Sequence, residues 1–263
     1  ARPRLLIINS PSNPTGHCYS PGQLEALAEV LRRYRVVALS DEIYSGTHFS
    51  GDHQSLARYY PEGTIISNGL SKWCGAGGWR LGYFVFPETL AWLGEAMTAV
   101  ARETFTATSA PIQYAAVDAL DDHPAMHTYL QHSRMILARL AECAYRGLAA
   151  AGDRLNPAQG GFYLFVSFDE LRPVLSGRGI EDSETLCTRL LEETGVAVLP
   201  GHCFGRPASE LSLRLAYVDF DGEAALEAAS AGDPVDTDFL KTYCSRVTIA
   251  IDRMASWVQQ PAG

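Results

Sequence analysis

Three short runs of continuous apolar residues, each stopped by polar turn material, do most to limit what this chain can fold into. Leu5-Leu6-Ile7-Ile8-Asn9 feeds Ser-Pro-Ser-Asn-Pro-Thr-Gly. Val36-Val37-Ala38-Leu39-Ser40 feeds Asp41-Glu42-Ile43-Tyr44, and Thr64-Ile65-Ile66-Ser67 feeds Asn68-Gly69-Leu70-Ser71-Lys72. Runs of this length without polar alternation are the pattern of strands buried on both faces. Between the first two, Ser20 and Pro21 supply an N-cap and a first helical position. Leu24, Leu27, Ala28 and Leu31 then recur at helical spacing, which predicts a helix to about Tyr34. Leu81-Gly82-Tyr83-Phe84-Val85-Phe86 predicts a further strand. Helices and strands mixed in this way point to an α/β sheet.

Further along, the pattern is helical with breaks from Pro87 to about Leu120. From Pro124 to Leu148 it predicts one long helix able to bridge two domains. After Gly160-Gly161 the order changes to a strand over Phe162–Phe168, a helix over Ser183–Thr194, and strands over Val196–Leu199 and Leu211–Val218. A last helix is expected from Asp236 to about Val258, with Phe239, Leu240, Tyr243, Val247, Ile251 and Met254 on one face. This second part reads as a smaller α+β domain.

Charge and composition narrow the class of partner. The formal net charge of −9 argues against a general polyanion-binding surface, so nucleic acid is not expected. No apolar stretch approaches the roughly 18 residues of a membrane span, and Ala1-Arg2-Pro3-Arg4 lacks the apolar core of a signal peptide, so a cytoplasmic location is expected. Six cysteines without a C-x-x-C pair suggest neither a zinc knuckle nor a disulfide framework, and they are expected to be reduced. His123 and His127 are spaced like a metal pair on a helix. Pro124 between them reads better as a helix start, no third ligand is apparent, and no metal is expected.

Candidate chemistry lies at the strand ends, where ligands bind in open α/β sheets. Taken alone, Asn13-Pro14-Thr15-Gly16 is ordinary turn material, and the adjacent acids Asp41 and Glu42 are as readily solvated or capping groups. Lys72, with Trp73 and Trp79 to hem it in, is either an exposed loop lysine or an amine desolvated enough to act as a nucleophile. Gly75, Gly77 and Gly78 would let the backbone curl back and set Arg80 on an anion near the lysine. The cluster matches neither nucleotide phosphate-loop pattern.

Together these segments are specific. Asn13-Pro14-Thr15-Gly16, Asp41-Glu42-Ile43-Tyr44, Gly69-Leu70-Ser71-Lys72 with Gly78-Trp79-Arg80-Leu81-Gly82-Tyr83, and Leu211-Ser212-Leu213-Arg214-Leu215 resemble, in order and spacing, the class I/II aminotransferases of fold type I, which depend on pyridoxal 5′-phosphate. The resemblance implies the C-terminal part of a three-layer αβα large domain with a mostly parallel sheet, plus a small α+β domain. The division it implies is residues 1–135 for the partial cofactor-binding domain and 136–263 for the interdomain helix and small domain. It further implies that Lys72 holds the cofactor as an internal aldimine and shuttles the substrate proton, and that Asp41 pairs with the pyridine nitrogen. Asn13 and Tyr44 would bond the ring's 3′ oxygen, Arg80 would clamp the phosphate, and Asn13 and Arg214 would bind the substrate carboxylate.

The implied reaction moves the amino group of an L-amino acid to a 2-oxo acid, in a homodimer when the chain is full length. A lyase or synthase on the same scaffold, or an inactive relic, are the alternatives. Gly69 stands where many members carry a phosphate-binding serine, and Ser71 is a candidate replacement. The chain is expected to begin inside the large domain, with roughly the first third of the usual length absent. By itself it is then expected to bind cofactor weakly and to expose a sheet edge.

Overall fold

The computed structural model describes residues 3–105, 107–152 and 154–261. By its internal contacts the chain divides into two units: residues up to Ser12 with Cys18–Gln131, and Asn13–His17 with residues from His132 onward. The short Asn13–His17 segment therefore follows the first strand in sequence but belongs to the second unit.

In the first unit, β1 (Leu5–Asn9), α1 (Pro21–Tyr34), β2 (Val37–Asp41), β3 (Thr64–Gly69) and β4 (Gly82–Val85) precede α2 (Ala91–Thr104), α3 (Ala110–Leu120) and the start of α4 (Pro124–Ala150). The sheet order is β1-β2-β3-β4, with the first three strands parallel and β4 antiparallel to β3. Asn9 pairs with Asp41 and Asp41 with Ser67, so β1 and β2 end level and β3 runs two residues further, to Gly69. Helix α1 starts where Ser20 Oγ accepts from the Gln23 amide while the Gln23 side chain accepts from the Ser20 amide. Such reciprocal capping contributes about 1 kcal/mol. Its buried face, Leu24, Ala28 and Leu31, packs with Ile8, Val36, Ala38, Leu56 and Tyr60.

The first strand departs from expectation. Leu5 is 49% and Ile7 64% exposed, whereas Ile8 is buried. The reason is position: β1 is the outer strand of the described sheet, and its Ile8 side packs with α1 while Leu5 and Ile7 do not. An apolar run reports what a residue can bury, not whether a neighbour is there to cover it.

The second unit holds the rest of α4, then β5 (Arg154–Leu155), β6 (Tyr163–Ser167), α5 (Arg172–Gly177), α6 (Ser183–Thr194), β7 (Leu199–Pro200) and β8 (Ser212–Ala216). It ends with α7 (Gly222–Ser230), α8 (Thr237–Tyr243) and α9 (Ser245–Val258). Its sheet, ordered β5-β6-β8-β7, is antiparallel throughout. Two expectations need correction here. The strand expected over Val196–Leu199 shrinks to Leu199–Pro200, because only these two residues pair with β8. The helix expected from Asp236 to Val258 is two helices that break at Cys244. That residue's amide closes α8 on the Leu240 carbonyl, and its own carbonyl accepts from Val247 and Thr248 to open α9. Both helices bury apolar residues, so the periodicity runs on across a corner that it does not reveal.

Candidate active site

Asp41 is the last residue of β2, held from both sides. Its carbonyl accepts from Asn9 Nδ2 at 3.0 Å and from the Ser10 amide at 3.3 Å, and its Oδ1 accepts from the Ile43 amide at 3.3 Å. Burial pushes the carboxyl above its usual range, the Ile43 bond pulls it back, and the adjacent Glu42 charge pushes it further up. Among the described residues no cationic side chain pairs with it. A half-buried carboxylate without a cation is a group that a protonated ring nitrogen would stabilise.

Glu42, beside it, is a buried anchor. Its Oε1 accepts from Ser40 Oγ at 2.9 Å and Ser55 Oγ at 2.6 Å, and its Oε2 lies 3.2 Å from His53 Nε2. Burial alone would raise this carboxyl, but the bonds from His53, Ser55 and Ser40 outweigh it and hold the group below the ordinary range. Its amide donates to Ser67 O at 2.8 Å and its carbonyl accepts from the Ser45 amide at 2.8 Å. Glu42 thus fixes the turn that carries Asp41 and Tyr44. Tyr44 is buried, and its carbonyl accepts from the Thr47 amide and Oγ1 at 2.9 and 2.7 Å.

Lys72 lies three residues beyond the end of β3, half-buried. The loop does curl back as the glycines suggested: the Gly75 amide donates to Lys72 O and the Ala76 amide to Leu70 O. Trp73 is buried in a cluster with Leu70, Ala76 and Ala116, whereas Trp79 is 45% exposed. Only the first of the two expected tryptophan walls is therefore packed. Arg80 sits in the left-handed region at φ 54° and donates through Nη1 to Gly77 O at 2.9 Å. A non-glycine residue held there costs of order 1–3 kcal/mol, strain that clusters at ligand sites. Gly69 has its own explanation: a Cβ there would meet Leu81 O at 2.7 Å and Gly82 Cα at 3.1 Å. The tight pairing of β3 with β4 leaves no room for a serine side chain at this position.

In the second unit, Arg214 on β8 is not the solvent-facing strand arginine that its sequence would otherwise suggest. Its guanidinium lies 4.3 Å from the centre of the Tyr163 ring and 4.9 Å from that of Phe204, and Nη1 donates to Asn13 Oδ1 at 2.9 Å. Arg214 Nε is buried and has no hydrogen-bond partner among the described residues. Unpaired buried donors are rare enough to point to a functional site. Register explains the aromatic company: Phe165 faces Arg214 across the β6–β8 pair, Tyr163 lies two residues along the same face, and Phe204 meets Phe165 edge-on at 6.0 Å.

Tyr163 was not singled out from the sequence, although the alternation of Tyr163 and Phe165 opposite an arginine is a readable signal. Phe204, which packing alone could have explained, stacks on the guanidinium, while His202 Nδ1 turns to Ser183 Oγ at 3.0 Å. His127 Nε2 pairs with Asp122 at 2.6 Å, and His123 Nδ1 accepts from the Ala125 amide at the start of α4. All six cysteines are free thiols. Another signal passed over is scarcity: the chain has only two lysines, Lys72 and Lys241.

Comparison with known proteins identifies the family. The profile of the family described as aminotransferase class I and II matches residues 1–231. The aspartate/prephenate aminotransferase of Thermus thermophilus is 33% identical over 216 residues, which cover 82% of this chain and 52% of that protein. The aspartate aminotransferase of Bacillus subtilis is 34% identical over 223 residues, with 81% and 53% covered. The solved aromatic aminotransferase of Pyrococcus horikoshii superposes with a TM-score of 0.77 at 28% identity, over 97% of this chain and 60% of that one. The chain spans about half the length of these curated relatives. Members of this family depend on pyridoxal phosphate. With the family profile running over most of its residues, this chain belongs to the class I and II aminotransferases.

Proposed function

We propose that the protein works as a pyridoxal-phosphate-dependent aminotransferase, moving the amino group of an L-amino acid to a 2-oxo acid. The observation that carries the reading is the half-buried, cation-free carboxylate of Asp41 at the end of β2, level with the strand that leads to Lys72. When bound, pyridoxal phosphate supplies an electron sink for the bond broken at the substrate's α-carbon. Asp41 would keep a proton on the cofactor's ring nitrogen, and Tyr44 and Asn13 would bond its ring oxygen. Arg80 would meet the phosphate, helped by a loop whose glycines leave space for an oxyanion. Lys72 Nζ would hold the cofactor and, once displaced by substrate, take the proton from the substrate's α-carbon and deliver it to the cofactor's C4′ carbon, so that one amine serves as base and then acid. Asn13 and Arg214 would orient the substrate by its carboxylate. The substrates and a homodimeric assembly belong to this proposal, which rests on the family and on these residues.

The scarcity of lysine makes the test clean. The protein is mixed with pyridoxal 5′-phosphate, reduced with borohydride and mapped by mass spectrometry. Label is expected on Lys72, and not on Lys241, an exposed residue 3.4 Å from Asp238. Equal labelling of the two in wild type, with Lys241 labelled to the same extent in Lys72→Ala, overturns the reading. Return of the amine to an added 2-oxo acid then separates transamination from lyase chemistry.

A further inference from the structure

The Asn13-Pro14-Thr15-Gly16 turn owes its place to its last residue. Gly16 has φ +68°, and a Cβ built on it would lie 2.5 Å from Ala158 Cβ, 2.9 Å from Tyr163 O and 3.1 Å from Gly160 O. Two of those three neighbours are backbone atoms, which cannot swing aside. Its carbonyl accepts from the Gln159 amide at 2.8 Å and from the Gly160 amide at 3.2 Å. The turn is thus clamped to the 158–163 segment of the second unit through a residue that can bear no side chain. Asn13 is three residues away along the chain, and its Oδ1 meets Arg214 Nη1 at 2.9 Å. A bond of that length tolerates only a few tenths of an ångström of displacement.

The groups that hold Arg214 share a second property. Asn13 Oδ1 is a neutral acceptor and the Tyr163 and Phe204 rings are uncharged, so the guanidinium is fixed without being neutralised. Among the described residues no carboxylate pairs with it. Every residue in this arrangement lies in the second unit.

We propose that Gly16 is a positioning residue. By seating the Asn13–His17 segment on the 158–163 segment, it makes Asn13 and Arg214 a carboxylate receptor that is complete before cofactor or substrate binds. The assignment of these two residues to a carboxylate rests on the proposed function; the preassembly and the role of Gly16 go beyond it.

Calorimetric titration of the 263-residue chain with maleate, used as a dicarboxylate probe, tests this. Wild type is expected to bind, and Arg214→Ala to lose binding. Gly16→Ala should bind roughly tenfold more weakly, because an L-residue at that φ resists the conformation even before the contacts are counted. Asn13→Asp keeps the shape and the glycine but gives the guanidinium an internal counter-ion, so it should lose at least as much. A merely structural injury would lower affinity equally in any background, whereas a positioning effect vanishes when its target is gone. Gly16→Ala is therefore expected to cost nothing further in the Arg214→Ala chain. Borohydride labelling of Lys72 is followed in wild type and in Arg214→Ala, whose side chain is placed on the substrate and not on the cofactor, and should be the same in both. Wild type that binds no maleate, Gly16→Ala that binds like wild type, or Arg214→Ala that still binds and is weakened further by Gly16→Ala would each overturn the proposal, even with Lys72 labelled. Loss of Lys72 labelling with the maleate pattern intact would instead sink the proposed function and leave the receptor standing.

Discussion

In the second unit, β6 and β8 bury Leu164, Val166, Leu213 and Leu215, and α9 buries Val247, Ile251, Met254 and Trp257. In the first unit α2 buries no residue, and Trp92, Val100 and Phe105 on it or at its end are each more than 60% exposed, as are Tyr114 and Val117 on α3. The second unit therefore satisfies most of its apolar residues internally, and its exposed ones, such as Leu191, Leu199 and Ile249, stay below 50%. The first has a buried centre between α1 and the sheet but leaves much of its apolar surface to be covered by something else. The difference matters for function, because Asp41, Lys72 and Arg80 belong to the first unit and the Asn13–Arg214 pair to the second. Groups on a well-packed scaffold can be held in place in advance, whereas groups on a partly covered one rely on whatever covers it.

The largest effect should come from the self-contained core. Leu164→Ala, at a fully buried site on β6, is expected to lower stability by about 2–5 kcal/mol in denaturant titration. A loss below about 1 kcal/mol would show that the second unit is less tightly packed than its burial implies.

Next is the buried anchor of the first unit. Glu42→Gln should cost about 1–3 kcal/mol at pH 7, since Ser40, Ser55 and His53 lose a charged acceptor. The sign with pH follows from the lowered pKa. The stability that Glu42 contributes is full above the ordinary glutamate value of 4.5 and is lost as pH falls through its lower folded value. The gap between wild type and variant should close as the solution is acidified.

Asp41 next door has the opposite sign. Its folded pKa is raised, so its ionised form burdens the fold at neutral pH, and that burden disappears below the ordinary aspartate value of 3.8. Asp41→Asn is therefore expected to stabilise the chain at pH 7, by less than Glu42→Gln destabilises it, while weakening cofactor capture; stabilities at pH 7 and pH 3.5 measure both signs. Adjacent carboxylates with opposite linkage would mark one as structural and the other as held for a ligand.

A smaller change, about 1 kcal/mol, is expected from Ser20→Ala, which removes the cap of α1 and is read by thermal unfolding. The smallest belongs to the open face. Val117→Ser, 66% exposed, should shift stability by no more than about 0.5 kcal/mol yet reduce self-association in sedimentation. If it destabilised as much as Leu164→Ala, the contrast between the two units would fail.

Local signals in the sequence were read where one rule acts alone. Ser20-Pro21 starts α1 at Pro21, Pro124 starts α4, and the Ser183–Thr194 helix has its expected bounds. Signals that depend on a neighbour were not. The apolar run of β1 does not reveal that Ile7 faces outward, and the continuous stripe from Phe239 to Met254 conceals the corner at Cys244. The site divides in the same way. Asp41, Lys72 and Arg80 stand at strand ends and could be picked out by type and order, but the glycine at position 69 acquires its reason only from Leu81 and Gly82 packed against it.

By itself the sequence determined most of the longer elements, their order and the chemistry available at the ends of β1, β2 and β3, because caps, periodicity and side-chain type act over a few residues. Only the tertiary structure decided that Asn13 joins Arg214 across 201 positions, that Gly16 makes this possible, and that two rings hold the guanidinium without cancelling its charge. Those outcomes depend on distances between segments far apart in the chain, which are set by how the strands of the second unit pair and not by any pattern a local window contains.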